Sequence, residues 1–532
     1  MKHWFQVTKR WSLAIASAAT LTVGAMALLS CGGEGGPISG GGGGGGGGNS
    51  FAAKFAALLP PGQAGATYVG PTVCKTCHNA GLSAKPHGRA SNPTEPYYDE
   101  WSGTMHASKN VTCENCHGPG SLHAAAASPD ATTILTGMNS VSPVICAQCH
   151  GPKYDEWKSS KHSEIVTSPA GNVTSSSRCT ACHNPVMRTL VLEVMGGDPY
   201  VLSGDYNAQM RTDILAATTG PNATSPHTAT CVTCHNPHKK TGNLTEAGDD
   251  FQVRHKLQNT DTATNLAPPV NADPSVPIKY DHVCGECHNG RSKTGRDVDL
   301  PNMWSANMHD GPQVDMLLGT PNFGSETNYN GSSNPPLRRT TSHAGVPGQC
   351  SHCHMGEGRH TFTVSYDTGC VPCHTAADAA ARVTALKTEI IDEMYALQTR
   401  MIAYAPTYVS VSGSNIGQTV SAYISLGGNA PRTNNNLAAY NAWVAKCGAG
   451  AAPLAYKRAF QNYMCIVRDN SNGVHNSAYT RYLLEIANQN LDGLGIPPAP
   501  PPGRAAGLSL KQKYDSIQRD IARLRQEERD SF

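Results

Sequence analysis

The sequence predicts a mainly α-helical protein with much irregular loop and little or no β-sheet. Its 532 residues include 54 glycines and 36 prolines, which interrupt helices and strands. Aromatic residues make up only 6%, so apolar side chains are too few to fill several ordinary cores. Helical periodicity is strong mainly toward the C-terminus, where apolar residues recur every three or four positions from Ala376 to about Tyr404. The formal net charge of +2 excludes a strongly basic nucleic-acid-binding protein.

The first 50 residues carry the signs of export. A positively charged start precedes an apolar run from Leu13 to Leu29, which predicts a signal peptide over residues 1–30. The next residue, Cys31, ends the tetrapeptide LLSC, which resembles the lipobox of bacterial lipoproteins. That resemblance implies a lipid on Cys31 and attachment to the outer membrane, whereas the alternative is a secreted protein with an incidental cysteine. Residues 31–50 are mostly glycine and predict a flexible tether.

Most of the 19 cysteines fall into eight Cys-x-x-Cys-His motifs. This pentapeptide is typical of c-type haem attachment, in which two thiols bind one porphyrin and the adjacent histidine binds its iron. A zinc site or a disulfide framework would not require a histidine after every second cysteine. The predicted haem-binding cysteines are Cys74, Cys77, Cys113, Cys116, Cys146, Cys149, Cys179, Cys182, Cys231, Cys234, Cys284, Cys287, Cys350, Cys353, Cys370 and Cys373. The predicted proximal iron ligands are His78, His117, His150, His183, His235, His288, His354 and His374.

Eight covalent haem c groups would supply the interior that the apolar side chains cannot fill. Residues 51–375 contain all eight motifs, and so few residues per haem cannot enclose each porphyrin separately. We therefore predict one octahaem domain over this range. In it the haems pack against each other and the chain forms short helices and loops.

Further histidines are candidates for the second axial position of each iron. Three of them follow a tryptophan by five residues, and a packed tryptophan would orient such a histidine. Two others lie six residues beyond a proximal histidine, with glycines between that let the chain turn. For each histidine the alternative is an ordinary surface or hydrogen-bonded role. The candidates are His87, His106, His123, His162, His238, His282, His309, His343 and His360.

The strings CENCHGPGSLH and YDEWxxxxH resemble the multihaem cytochrome c superfamily. It includes cytochrome c554, hydroxylamine oxidoreductase, octahaem tetrathionate reductases and pentahaem nitrite reductases, and surface cytochromes of metal-reducing bacteria are similar. The resemblance covers residues 70–375 and reappears at residues 469–476, which are similar to a His-Asn segment of the nitrite reductase branch. It implies His475 as a further iron ligand, with a helix-capping or surface role as the alternative. The Cys-x-x-Cys-Lys motif of many nitrite reductase active sites is absent from the sequence.

Residues 376–495 are predicted to form a helical C-terminal domain without haem. A first amphipathic helix would cover the last haems, and a Gly/Asn/Ser-rich loop would follow it. Further helices are expected near residues 437–446, 453–467 and 477–491. Because Cys447 and Cys465 are the cysteines left after haem and lipid attachment, we predict a disulfide between them in an exported protein, with two buried thiols as the alternative.

Residues 496–508 are predicted to be a proline-rich linker, and residues 509–532 a terminal helix. The helix carries a narrow apolar seam that must pack on something, because so short a helix is marginal alone. The body of the same chain or a partner could supply that surface, and the stiff linker favours a partner or a second copy. The seam consists of Leu510, Tyr514, Ile517, Ile521 and Leu524.

Three functions are compatible with these motifs. The favoured one is electron transfer at the outer membrane, on its periplasmic or cell-surface side, because the spare histidines suffice to saturate every iron. Its partners would be other redox proteins, such as cytochromes, a porin–cytochrome complex or terminal acceptors, in anaerobic respiration. The alternatives are an octahaem oxidoreductase acting on a small nitrogen or sulfur compound at one five-coordinate haem, and a self-associating filament subunit. No catalytic residue is singled out.

Overall fold

The computed structural model describes residues 48–79, 97–126, 132–164, 185, 229–245, 248–255, 257, 282–288, 311–319, 342–371, 373–409, 454–498 and 508–519. Within these ranges the protein is helical with connecting loops and contains no β-sheet; a single antiparallel bridge joins His235 and Val253. The predicted fold class is therefore confirmed. Across the same ranges no helix combines the length and the apolar character needed to span a membrane.

The helices of the motif region are short. The first group is α1 (Gly48–Ala56), α2 (Pro71–Lys75), α3 (Tyr97–Ser102), α4 (Met105–Ser108), α5 (Cys113–His117), α6 (Ser121–Ala125), α7 (Gly137–Ser140), α8 (Pro143–Ala147) and α9 (Gly151–Lys158). The second group is α10 (Cys231–Cys234), α11 (Gln313–Leu318), α12 (Cys350–His354) and α13 (Tyr366–Gly369). Single 3₁₀ turns lie at Pro61–Gln63, Lys161–Ser163, Ser342–Gly345 and Gly356–Gly358. Because α1 begins at Gly48, the predicted tether ends slightly earlier than expected.

Several Cys-x-x-Cys-His motifs themselves form these short helices. One helical turn places two cysteines that are three residues apart on the same face, as attachment to one porphyrin requires. Local capping favours the turn: the backbone N–H of Thr112 donates to Asn115 Oδ1 at 2.7 Å, and that of Thr230 donates to Thr233 Oγ1 at 3.0 Å. These capping boxes satisfy backbone groups at the start of α5 and α10. The spacing of the two cysteines is thus determined by hydrogen bonds within the motif and the residue directly before it.

Buried apolar side chains in the motif region form only small clusters. One consists of Phe55, Leu135 and Ile145, and another is built on Val314, Leu317, Leu318 and Ala344. The large apolar core lies instead in the C-terminal helices α14 (Ala376–Val409), α15 (Leu454–Asp469) and α16 (Ser477–Asp492). This division agrees with a motif region whose interior is completed by bound haem.

The C-terminal helices match the predicted positions. The first extends to Val409, beyond the expected end near Tyr404, and the next two begin and end within two residues of the predicted bounds. A buried arginine, Arg400, ties them together: its guanidinium donates to Asp492 Oδ1 at 2.6 Å and to the carbonyl of Ile496 at 2.7 Å. The predicted loop and the helix near residues 437–446 lie outside the described residues.

The start of the terminal helix packs on the body of its own chain. Residues 510–519 are helical, and Ile517 is 1% exposed within the C-terminal core. Lys513 Nζ lies 2.9 Å from Asp392 Oδ1, and Tyr514 donates its hydroxyl to Asn470 at 3.0 Å. The preference for a partner was therefore wrong for this part of the helix, because the apolar seam alone does not reveal which surface covers it. The remainder of the seam lies outside the described residues.

Candidate haem-binding sites

Seven of the eight haem motifs lie in the described residues; the fourth, at residues 179–183, does not. The tertiary structure pairs the proximal histidine of five motifs with a second histidine from a distant part of the chain. The pairs, with the distances between their ring centres, are His106 with His150 at 6.2 Å, His117 with His238 at 6.0 Å, His162 with His288 at 5.9 Å, His235 with His360 at 6.2 Å and His354 with His475 at 6.2 Å.

These separations fit an iron bound between two imidazoles. A transition metal lies about 2.0 Å from an imidazole nitrogen that is about 1.1 Å from its ring centre, so two axial imidazoles have centres about 6.2 Å apart. The five measured separations lie between 5.9 and 6.2 Å. The residues present therefore fit bis-histidine haem at five motifs.

The hydrogen bonds of the proximal histidines orient the rings for this role. The Nδ1 atoms of His117 and His235 each lie 2.7 Å from a backbone carbonyl oxygen, and that of His354 lies 3.0 Å from another. His288 Nδ1 lies 3.2 Å from the side-chain oxygen of Gln313. Because Nδ1 is engaged in each ring, Nε2 is the nitrogen left to bind iron.

The partner histidines are held in the same way. The ring of His106 is hydrogen-bonded to the carbonyl of Pro237, and His360 Nδ1 lies 3.0 Å from the carbonyl of Gly358. His475 differs, because its Nδ1 lies 2.6 Å from a carboxylate oxygen of Asp469. All three histidines were predicted from the sequence as ligands.

The paired rings are mostly in the uncharged form that metals bind. Burial lowers the pKa of six of the paired histidines because the charged imidazolium loses hydration, and the pKa of His162 falls to about 4. The pKa is also lowered at His106, His117, His235, His354 and His360. Burial alone would lower the pKa of His475 too, but the neighbouring Asp469 carboxylate raises it.

The Tyr-Asp-Glu-Trp segments each serve two haem motifs. Trp101 Nε1 donates to the carbonyl of Val111 at 3.0 Å, and Trp157 Nε1 donates to the carbonyl of Ala229 at 2.8 Å. Each acceptor lies two residues before the first cysteine of a motif. The histidine five residues after each tryptophan pairs with yet another motif. The indole N–H of each tryptophan thus holds the entry to a neighbouring motif, a role that the spacing does not predict, and the orientation of the histidine by the tryptophan stays a prediction.

The glutamates of the same segments anchor the chain beside other paired histidines. Glu156 Oε2 accepts a hydrogen bond from the backbone N–H of His360 at 2.9 Å. Glu100 lies 2.9 Å from Lys239 Nζ, and Lys239 follows His238 directly in the chain. One repeated segment therefore brings together residues from three motifs.

Successive motifs touch through their cysteines. Cys74 of motif one neighbours Cys113 of motif two, Cys146 of motif three neighbours Cys231 of motif five, and Cys284 of motif six neighbours Cys350 of motif seven. Gln148 Nε2 donates to the carbonyl of Asn115 at 3.4 Å and so links motifs two and three. Cys353 Sγ lies 3.4 Å from the carbonyl of Gly369, which links motifs seven and eight.

Two residues that the sequence did not single out are needed for this close approach. A Cβ atom on Gly369 would lie 2.7 Å from the carbonyl oxygen of Cys353, so a larger residue would push motifs seven and eight apart. The Phe362 ring lies 4.4 Å from that of His162 and 6.0 Å from that of His360, and it connects the sites of motifs five and six. The described motifs thus follow one another in the order one, two, three, five, six, seven, eight.

A third such residue is Glu114, inside motif two. Its side chain is buried and accepts backbone N–H bonds from Val69 at 2.9 Å, Gly70 at 2.7 Å and Gly120 at 2.9 Å. The carboxylate thereby joins the segment that leads into motif one to the loop that follows motif two. The two positions between the cysteines of a haem motif accept any residue, so the sequence does not indicate this structural role of Glu114.

The remaining predicted ligands are placed as follows. His343 Nδ1 lies 3.1 Å from the carbonyl of Val474, and His123 Nδ1 lies 3.4 Å from Thr133 Oγ1. His282 is 1% exposed; its Nδ1 accepts from the backbone of Cys284 at 3.0 Å, and its Nε2 lies 3.4 Å from the carbonyl of Gly348. Both of its ring nitrogens thus have polar neighbours, and its potential ligand atoms lie within 4.8 Å of those of Cys284 and Cys350. Its role as an iron ligand stays a prediction. His87, His309 and His183 lie outside the described residues.

The two predictions for the other cysteines are not tested by these contacts. Cys465 is buried in the C-terminal core, where its Sγ lies 3.2 Å from Met316 Sδ. Its predicted disulfide partner, Cys447, lies outside the described residues, and so does the predicted lipid-bearing Cys31. Both stay predictions.

The attachment motifs together with the paired histidines define the class: the protein is a multihaem c-type cytochrome. Residues 105–189 match the cytochrome c3 family model. A search of curated proteins gives no significant match.

Two solved structures are similar to the chain at low sequence identity. The undecaheme cytochrome from the S-layer of Carboxydothermus ferrireducens has 19% identity and a TM-score of 0.43, and the match covers 83% of this chain and 56% of that one. This chain therefore spans little more than half the length of that neighbour. The outer cell wall cytochrome OcwA has 18% identity and a TM-score of 0.40, with coverage of 72% and 70%.

Proposed function

We propose that this cytochrome is an octahaem electron-transfer protein, exported and held at the outer membrane by a lipid on Cys31. Bound haem supplies one-electron chemistry. The polypeptide holds the haems close together and gives each iron two histidine ligands. The single observation that carries the proposal is the set of five histidine pairs whose ring centres lie 5.9 to 6.2 Å apart.

A second histidine on each iron favours electron transfer over catalysis. An iron with two imidazole ligands has no open position for a substrate. The partner histidines are also partly buried, and His360 and His475 are hydrogen-bonded at Nδ1, so leaving the iron would cost the packing and bonds that hold these rings. Rigid ligands of this kind lower the structural change that accompanies reduction.

The contacts between motifs support a continuous path. Each described motif touches the next through cysteines, a side-chain amide or the Phe362 ring. Haems attached at such neighbouring points would lie side by side. Electrons could then pass from motif one to motif eight without leaving the protein, and the two ends would meet redox partners such as other cytochromes or a terminal acceptor.

Spectroscopy of the holoprotein tests the proposal. We expect eight haems per chain by pyridine haemochrome assay and mass spectrometry. We also expect low-spin signals alone in the electron paramagnetic resonance spectrum of the ferric protein. A high-spin haem that binds nitrite, hydroxylamine or carbon monoxide would overturn the proposal in favour of an octahaem oxidoreductase.

The membrane anchor is tested separately by fractionation. Cys31→Ala should move the protein from the outer-membrane fraction to the soluble fraction without changing its haem content, because the lipid would be the attachment. Protein that stays in the membrane fraction after this substitution would contradict the lipoprotein part of the proposal.

A further inference from the structure

A buried carboxylate lies directly behind one of the paired histidines. Asp469 is the last residue of α15, and its side chain is fully buried. Its Oδ1 accepts a hydrogen bond from His475 Nδ1 at 2.6 Å, and its Oδ2 accepts one from the Ser471 hydroxyl. His475 in turn pairs with His354, the proximal histidine of motif seven.

The position of Asp469 is unfavourable for a carboxylate in two ways. Burial removes the water that stabilises the negative charge, and the C-terminal end of a helix carries the negative pole of the helix dipole. A residue kept there needs compensation, and the N–H of His475 and the hydroxyl of Ser471 supply it. Because this arrangement is costly in free energy, it indicates that the carboxylate has a role in orienting and polarising the ring of His475.

Five other paired histidines form Nδ1 hydrogen bonds with neutral groups. His117, His235, His354 and His360 bond to backbone carbonyls, and His288 bonds to the amide of Gln313. An aspartate also lies near His374, at 3.4 Å, but its carboxylate is 43% exposed and is paired with Arg382. Glu156 Oε2 lies 3.8 Å from His360 Nδ1, too far for a hydrogen bond, and the Glu156 side chain is 27% exposed. Among these histidines, His475 is thus set apart by a fully buried carboxylate that is hydrogen-bonded to its Nδ1.

A buried carboxylate at Nδ1 has a definite effect on a metal ligand. It draws the Nδ1 proton, so the imidazole gains anionic character and becomes a stronger donor to the metal. Ferric iron carries one more positive charge than ferrous iron, and nearby negative charge therefore favours the ferric state. Because the group is buried, salt and water screen this effect little.

We propose that Asp469 is a positioning residue that, through His475, gives the haem of motif seven the most negative reduction potential among the five haems of the described histidine pairs. The inference rests on the proposed electron-transfer function and assigns one site within it. This haem would be the last of the five to accept an electron, between motifs six and eight in the sequence of contacts.

Gln313 links this site to the preceding one. Its Nε2 donates to the backbone carbonyl of Asp469 at 3.2 Å, and its Oε1 lies 3.2 Å from Nδ1 of His288 in motif six. The Asp469 turn is therefore positioned against α11, which also supports the proximal ligand of the neighbouring haem. This rigid support keeps the carboxylate from turning away from His475.

The first variant is Asp469→Asn, which keeps an oxygen acceptor and removes the charge. In a spectroelectrochemical titration of the holoprotein, one haem should shift to a more positive potential while the others keep theirs. The low-spin paramagnetic resonance signal that changes should be the one that His475→Ala abolishes. Asp378→Asn is the matched control, because it removes an exposed carboxylate near His374 and should cause a much smaller shift.

The second variant, Ser471→Ala, should act in the opposite direction. Loss of the Ser471 hydrogen bond leaves more negative charge on Asp469 for His475, so the same haem should move to a more negative potential. A purely structural role would shift both variants the same way. If the Asp469→Asn variant loses haem, the Ser471→Ala variant is the test. A reduction potential in Ser471→Ala that is unchanged or more positive overturns the proposal.

Unchanged potentials in Asp469→Asn, or equal shifts of several haems, would also overturn it. The wild-type spin state is measured in the same samples and tests the proposed function independently. A high-spin wild-type haem would refute the proposed function, whereas low-spin haems with an unshifted potential would refute the role of Asp469 alone.

Discussion

At the scale of single residues, the hydrogen bond at Nδ1 decides how a paired histidine presents its ring. At two sites this bond is accepted by a carbonyl farther along the chain: Phe251, 16 residues beyond His235, and Phe362, 8 residues beyond His354. Phe362 adopts a left-handed backbone conformation with φ of 56°, which is unusual for a bulky residue. Its carbonyl and its ring thereby serve three different motifs.

Replacing one paired histidine should expose a single iron. In His106→Ala, the haem of motif three loses the ring that faces His150, so one low-spin ferric signal should give way to a high-spin signal. Electron paramagnetic resonance with a haem count measures this change. Ser108→Ala is the control: its exposed hydroxyl bonds to the carbonyl of Met105 in the same short helix, so all haems should stay low-spin. A His106→Ala spectrum equal to the wild type would contradict the pairing.

At the scale of elements, the segment from Tyr-Asp-Glu-Trp to the following histidine behaves as a repeated unit. In both copies the tyrosine and tryptophan rings lie against each other, with centres 5.6 and 5.7 Å apart. A hydroxyl then closes the turn after the tryptophan, from Thr104 to Trp101 and from Ser160 to Trp157, each at 2.7 Å. The turn determines how far the histidine lies from the indole.

Removing the indole hydrogen bond should loosen a motif without removing its haem. Trp157→Phe keeps an aromatic ring but leaves the Ala229 carbonyl without its donor, which should cost about 1–3 kcal/mol of stability. Denaturant unfolding followed by haem absorbance measures the loss. Ser159→Ala is the control, because its hydroxyl bond to the carbonyl of Glu156 is exposed. Equal stability of Trp157→Phe and wild type would show that the bond contributes nothing.

In the C-terminal helices, the buried Arg400 should contribute more to the free energy of unfolding than the half-exposed Arg481. Arg400→Met leaves the buried carbonyl of Ile496 without its donor and should cost about 1–3 kcal/mol, whereas the Asp492 carboxylate is 58% exposed and is solvated by water. Arg481→Met breaks a half-exposed pair with Glu389 and should cost about 0–1 kcal/mol. Thermal unfolding of both variants measures the difference, and equal losses would contradict the assignment.

At the scale of the whole molecule, the described residues have two kinds of interior, one in the C-terminal helices and one in the motif region. The C-terminal helices bury an extended apolar core, whereas the motif region has small apolar clusters beside many paired histidines. The first part can fold on side-chain packing alone, but the second requires haem to complete its interior. The described motifs form one sequence of contacts in which motif three touches motif five.

Motif four should therefore be dispensable for conduction between the other sites. In a variant with Cys179→Ser and Cys182→Ser, we expect seven haems and stopped-flow reduction of the remaining haems at the wild-type rate. The control variant, with Cys146→Ser and Cys149→Ser, removes motif three from within the sequence of contacts and should split the reduction into fast and slow phases. Slow reduction in the first variant would place motif four within the path.

The helices could be predicted because their determinants are local, and the haem attachment sites are predicted on the same local basis. Two cysteines and a histidine within five residues need only one helical turn to form an attachment site, and apolar residues every three or four positions need only their own helix. For that reason the predicted bounds of α15 and α16 agree with the structure to within two residues. The surface that covers the terminal helix was not predictable, since Asp392 and Asn470 belong to other helices or turns.

The sequence by itself determined the class of the protein, because eight repeats of one short motif admit little other chemistry. It also identified His106, His162, His238, His360 and His475 as candidate ligands. Only the tertiary structure decided which proximal histidine each one faces, since every described pair joins segments that are distant in the chain. It likewise placed Asp469 behind His475 and engaged both nitrogens of His282. The physical reason is that spacing describes one turn of backbone, whereas ligand pairing and charge depend on how distant turns pack together.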